Sequence, residues 1–136
     1  KFYENGQKEG EANFKDGKQD GLMVSWHENG QKKTEENFKD GKIDGPAVNW
    51  YENGQKEGEV NHKDGTPHGD ATGWYENGQK QFKTIYKDGN PDGLKTYWDE
   101  NGQKKAERTY KDGTPISEKY WNSKGEEVDS VEEVDQ

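Results

Sequence analysis

Trp50-Tyr51-Glu52-Asn53-Gly54-Gln55-Lys56 runs into six mixed residues and then into Lys63-Asp64-Gly65. Asn-Gly and Asp-Gly are the two dipeptides that most readily turn a strand back on itself, because both positions tolerate a left-handed backbone. The unit recurs. Asn-Gly begins at Asn5, Asn29, Asn53, Asn77 and Asn101, and Lys-Asp-Gly at Lys15, Lys39, Lys63, Lys87 and Lys111, each 24 residues after the last. Tryptophan keeps the same period at Trp26, Trp50, Trp74 and Trp98, arrives one residue early at Trp121, and is replaced by Phe2 in the first copy. A fixed period of this length defines a repeat architecture before any single element is assigned.

Each unit reads as two short strands. Leu22, Val24 and Trp26 alternate with Met23, Ser25 and His27, and no segment carries a 3.6-residue apolar stripe. The segment after Asn-Gly ends in an aromatic column of Phe14, Phe38, His62, Tyr86 and Tyr110. Keeping Trp26 on one face with Thr34 and Phe38 requires a three-residue Glu-Asn-Gly loop, a type I turn closed by a left-handed glycine. The same parity argument favours a five-residue loop such as Asp40-Gly41-Lys42-Ile43-Asp44 over a two-residue Asp-Gly turn. The expected fold is all-β: an elongated single-layer antiparallel meander of tandem 24-residue β-hairpin repeats, about eleven strands and roughly 50 Å long. Its two aromatic columns are expected on one face, stacked between neighbouring units in place of a central core.

Composition bounds the function. The 136 residues are 24% hydrophobic and 36% charged, with a net charge of −9 and a mean hydropathy of −1.65. Those values suit a disordered chain, yet 12% of the residues are aromatic, which disordered chains lack. The longest apolar run is Leu22-Met23-Val24, so no membrane insertion is expected, and no leader pattern is visible. The acidic balance argues against nucleic acid as a partner. Zero cysteines exclude disulfides and thiolate metal sites and leave the compartment open, cytoplasm or cell surface. The charge is uneven: residues 126–136 hold six carboxylates and no base, which leaves 23 acids against 20 bases elsewhere. Residues 1–125 thus divide from an acidic tail or short cap at 126–136, where Val128, Val131 and Val134 have helical spacing.

Four features carry candidate chemistry. Asp-Gly-X-X-Asp recurs as Asp16/Asp20, Asp40/Asp44 and Asp88/Asp92, but supplies too few oxygen ligands for a calcium loop and reads as turn geometry. His27, His62 and His68 lie in three different columns, and His62 replaces a ladder ring. No unit assembles an acid–base set around its serines or histidines, so the chain reads as non-enzymatic, without catalytic residues, cofactor or metal. The tyrosines beside tryptophan (Tyr3, Tyr51 and Tyr75) stand among polar side chains, as rings that recognise a protein or glycan do. Together with Trp50 and Trp74 they are the candidate partner-binding residues; the alternative is a cross-strand pair covering a lysine stem.

The Trp-Tyr-Glu-Asn-Gly-Gln-Lys unit, followed by Lys-Asp-Gly and Asp-Gly, resembles the MORN-variant repeat in the form found in bacterial proteins of the YwqK-family antitoxin type. The resemblance covers residues 2 to about 125 and rests on five agreeing copies. It implies an elongated antiparallel sheet that binds a protein partner, with a toxin as one such partner. It carries no catalytic motif. A cell-surface adhesin or glycan-binding repeat module is the alternative function, and a spacer that sets length is a third.

Overall fold

A computed structural model of the chain describes residues 1–129, and over these it is strand and turn without a helix. The strands are β1 (Gly10–Glu11), β2 (Phe14–Lys15), β3 (Lys18–Gln19), β4 (Gly21–Trp26), β5 (Lys32–Lys39), β6 (Lys42–Trp50) and β7 (Lys56–Lys63). They continue as β8 (Thr66–Trp74), β9 (Lys80–Lys87), β10 (Asn90–Pro91), β11 (Gly93–Trp98), β12 (Lys104–Lys111), β13 (Thr114–Trp121) and β14 (Glu127–Val128). Twelve of them form one antiparallel sheet in the order β1-β4-β5-β6-β7-β8-β9-β11-β12-β13-β14, with β10 beside β9, while β2 and β3 pair separately. The substantial contacts between strands all join hydrogen-bonded neighbours. The single-layer meander is therefore the one the repeat predicts, and Phe2 holds the first tryptophan position, bridged to Lys8 as Trp26 is to Lys32.

The Asn-Gly connection is the expected three-residue loop. The amide of Tyr51 donates to the carbonyl of Gln55 at 2.9 Å, and the amide of Gly54 donates to that of Tyr51 at 3.0 Å. Gly54 closes the loop at φ +87°. Asn53 fixes it further by accepting the amide of Gln55 on its Oδ1 at 2.9 Å.

The Asp-Gly connection is not the five-residue loop. Lys39 pairs directly with Lys42, and both central residues are left-handed, Asp40 at φ 50° and Gly41 at φ 82°. This is a two-residue type I′ turn, and the same pairing recurs at Lys63–Thr66, Lys87–Asn90 and Lys111–Thr114. Strand parity is not kept here, because the strands are irregular. Phe38 pairs with Ile43 but Glu36 with Ala47, so Asp44, Gly45 and Pro46 face Asn37 alone. That bulge, with Gly45 at φ +95°, resets the register inside the strand.

A second bulge overturns the single aromatic face. Trp26 pairs with Lys32 but Ser25 with Thr34, leaving Lys33 as an extra residue. From there Val24 pairs with Glu35 and Gly21 with Phe38, so Phe38 shares a face with Gly21, Met23 and Ser25, opposite Val24 and Trp26. His62, Tyr86 and Tyr110 follow Phe38, paired with Gly45, Gly69 and Gly93. One face thus carries the tryptophans, and the other carries the Phe/His/Tyr column above a floor of small residues. The most buried side chains of that second face are Ala71 and Thr84, cross-strand partners at 1% exposure each. Beside them the ring of Phe82 lies flat on Gly73, where a Cβ would come within 2.3 Å of its Cε1. Of the acidic segment, Glu127 and Val128 pair with Trp121 and Tyr120 as β14, so Val128 starts no helix; Val131 and Val134 lie outside the described residues.

Candidate functional site

The tryptophan face is threaded by lysine. Trp26, Trp50, Trp74 and Trp98 each face a lysine across their own Asn-Gly hairpin, and that lysine reaches over the next tryptophan: Lys32 pairs with Trp26 and lies 5.7 Å from the centroid of Trp50. Lys8, Lys56, Lys80 and Lys104 stand the same way over Trp26, Trp74, Trp98 and Trp121, at 5.6, 5.7, 6.0 and 5.0 Å. Neighbouring tryptophans are thereby joined through a cation. In four repeats a glutamate three residues on completes the set: Lys8–Glu11, Lys32–Glu35, Lys56–Glu59 and Lys104–Glu107. The fourth repeat has Lys83 at that position.

The tyrosine column joins repeats along the Asn-Gly margin. The hydroxyls of Tyr3, Tyr51 and Tyr75 donate to the carbonyls of Trp26, Trp74 and Trp98 at 2.8, 2.7 and 2.8 Å. His27 takes the same place, with Nε2 2.8 Å from the carbonyl of Trp50. Burial, and then the nearby carboxylates of Glu57 and Glu76, raise the Tyr51 hydroxyl above its ordinary pKa; burial, then Glu100 and Asp99, do so for Tyr75. A parallel ladder of amides runs alongside, Asn5, Asn29, Asn53 and Asn77 donating to the carbonyls of Glu28, Glu52, Glu76 and Glu100. The Asp-Gly tips are tied in the same manner. Asp20, Asp44 and Asp92 accept the amides of Asp40, Asp64 and Asp112 of the next turn, at 3.4, 3.4 and 3.5 Å. The second aspartate of Asp-Gly-X-X-Asp is thus committed to a neighbouring turn, and among the described residues no group of three His, Asp or Glu side chains is placed to hold a metal.

The sequence-predicted residues do not converge on one site. Tyr3 lies at the first end of the sheet, bonded to the Trp26 carbonyl of the second repeat. Trp50 and Tyr51 border a cleft with His27, Glu52, Glu57 and Glu76, and Tyr51 and Tyr75 border the next with Glu76 and Glu100. Trp74 borders a shallow depression on the tryptophan face with Lys80, Lys83, Asp70 and Glu59.

A third cleft on the Asn-Gly margin, about 300 Å³, has a different lining: Tyr75, Gln81, Tyr97, Trp98, Lys105, Ala106, Arg108 and Tyr120. Tyr97, Arg108 and Tyr120 share the face opposite the tryptophans. Arg108 lies 5.4 Å from the Tyr97 centroid, and Lys95 lies 5.1 Å from the centroids of both Tyr97 and Phe82. The Nε of Arg108 is 3.3 Å from Glu118 Oε1, yet it is buried and misaligned for a hydrogen bond. Tyr120 foremost holds the guanidinium charged, with Tyr110, Tyr97 and Glu118 adding to its effect against burial. The signal that finds these residues is disagreement between repeats. Arg108 stands where earlier units carry Glu36, Val60 and Thr84, and Tyr97 where they carry Ser25, Asn49 and Gly73.

These features define an open repeat scaffold, held together one repeat to the next. The MORN repeat variant pattern matches residues 1–16, 19–40, 43–64, 67–88 and 91–112, and the chain belongs to that family. No curated protein matches it at a significant level. Such repeats suggest a scaffold for interaction with protein or membrane.

Proposed function

We propose that the chain is a non-enzymatic protein-interaction scaffold whose partner is another protein, and that its role is that of an antitoxin or immunity factor binding a toxin. One observation carries the reading. Recurring tyrosine and asparagine side chains bond to the neighbouring repeat, and the clefts they border along the Asn-Gly margin are completed by side chains that vary between repeats, Glu57 in one and Tyr97, Lys105 and Arg108 in another. A constant frame with a variable margin suits recognition of one extended partner surface. A glycan-binding repeat module is the alternative; the hydroxyls of Tyr51 and Tyr75 are committed to backbone carbonyls, so a sugar would have to be met by their ring faces. Affinity capture from the source cell with micromolar bait should retain a protein partner. If the product of an adjacent gene arrests growth, co-expression of this chain should restore it. Capture without any protein partner contradicts the scaffold reading, and continued arrest contradicts the antitoxin role.

A further inference from the structure

Successive repeats build the same margin with different charge. The cleft that spans the second to fourth repeats is lined by Glu52, Glu57 and Glu76, and the following one by Glu76 and Glu100. The cleft between the fourth and fifth repeats has no carboxylate in its lining and two cations, Lys105 and Arg108. Lys105 occupies the column that Glu57 holds two repeats earlier, so the reversal of charge falls on equivalent positions. It is also set within a chain whose net charge is −9.

The fold does not require these residues. In the central repeats Asn49 and Gly73 hold the column of Tyr97, and Val60 and Thr84 that of Arg108, all uncharged, and the sheet continues through them without interruption. Large aromatic and cationic side chains in their place create a walled recess: Tyr97 and Tyr120 on the floor side, Trp98 and Tyr75 at the margin. Tyrosine, tryptophan and arginine are the residues enriched where interfaces concentrate their binding energy. Lys105 is exposed at the rim, and Arg108 reaches the recess with a buried Nε–H that has no acceptor. Glu118, 3.3 Å from that Nε, balances one of the two cations, and no carboxylate in the lining balances Lys105.

We propose that this cleft receives a carboxylate side chain of an acidic, extended segment of a partner protein, held between Lys105 and Arg108 and flanked by Tyr97, Trp98 and Tyr120. The inference rests on the protein-scaffold reading and adds to it the chemistry of the partner at one place. An acidic segment matches this cleft and is repelled by the two acid-lined clefts before it, which fixes its position along the sheet.

The test uses the full chain and two synthetic ten-residue peptides, one alternating glutamate with serine and the other carrying glutamine at each glutamate. The glutamate peptide should bind with amide shifts at residues 97, 105, 108 and 120, and the glutamine peptide should bind about tenfold more weakly. Lys105→Gln should weaken the glutamate peptide several-fold without changing stability, because its side chain is exposed. Arg108→Gln should weaken it further, and Glu57→Gln in the acid-lined cleft should not weaken it. Equal binding of the two peptides, shifts centred on Lys80 and Lys83, or no binding at millimolar peptide overturns the inference. So does a result in which Arg108→Gln lowers the melting temperature while Lys105→Gln leaves affinity intact, since the cluster then serves only the sheet. A captured protein partner that binds elsewhere leaves the scaffold reading standing and removes this one.

Discussion

The hydroxyl of Tyr51 donates to the carbonyl oxygen of Trp74, 23 residues on and 2.7 Å away. It is a rung between repeats, made again by Tyr3, Tyr75 and, in imidazole form, His27. Replacing Tyr51 by phenylalanine keeps the ring and strips a part-buried carbonyl of its donor. The expected cost is about 1 kcal/mol in urea unfolding. An unchanged midpoint would show that water serves the Trp74 carbonyl equally well.

Thr84 has the opposite defect. Its side chain is 1% exposed, and its Oγ1 has no hydrogen-bond partner. Valine has nearly the same shape without the hydroxyl. Thr84→Val should therefore stabilise the protein by about 1 kcal/mol, the scale of a removed unsatisfied polar group. Calorimetry would read this as a higher melting temperature, and a lower one would contradict the burial described for this face.

The repeat, the strand character and the Asn-Gly loop are legible in the sequence because each depends on local residue type. A 24-residue period, alternation, and glycine after asparagine leave little choice. Which face each column occupies is not legible. It depends on two bulges per repeat, at Lys33 against the Ser25–Trp26 step and at Asp44 to Pro46 against Asn37, and a bulge is written by pairing rather than by any one residue. Gly45 is the visible trace of the second bulge, just beyond the five-residue loop that parity favours. The candidate site was legible only in part. Tyr51 and Tyr75 do border clefts, but as rungs. Tyr97, Arg108 and Tyr120 break the repeat's pattern, and a reading that looks for recurrence passes over them.

The bulge at Gly45 makes its own prediction. At φ +95° the residue is in a backbone region that L side chains avoid, yet a Cβ there would meet nothing within 4 Å. Gly45→Ala should thus cost about 1–3 kcal/mol from backbone strain alone. Gly10→Ala, at ordinary φ and with only the Val24 carbonyl 3.8 Å away, should cost much less. Equal losses in chemical denaturation would mean that the bulge does not set the register.

Alkaline pH should loosen the margin. Burial raises the hydroxyl pKa of Tyr51 and Tyr75 in the folded protein above the ordinary value of 10.0. The folded state therefore binds the proton more tightly than the unfolded chain does. The stabilising contribution is complete below pH 10 and is lost as pH rises from there through the folded values. Tyrosinate absorbance should show these two ionising later than exposed tyrosines, with unfolding shifted to lower urea above pH 10. Simultaneous ionisation of all seven tyrosines would remove the basis for this effect.

The division of the aromatic residues between two faces is tested most directly by proton NOEs between side chains. The ε-methylene protons of Lys32 should show NOEs and ring-current shifts from the Trp50 indole, with the same pattern at Lys8–Trp26 and Lys56–Trp74. Phe82 should show contacts to the α-protons of Gly73, its cross-strand partner on the other face. Ring-to-ring NOEs joining Trp26 with Phe38, or Trp50 with His62, would place both columns on one face and contradict the account.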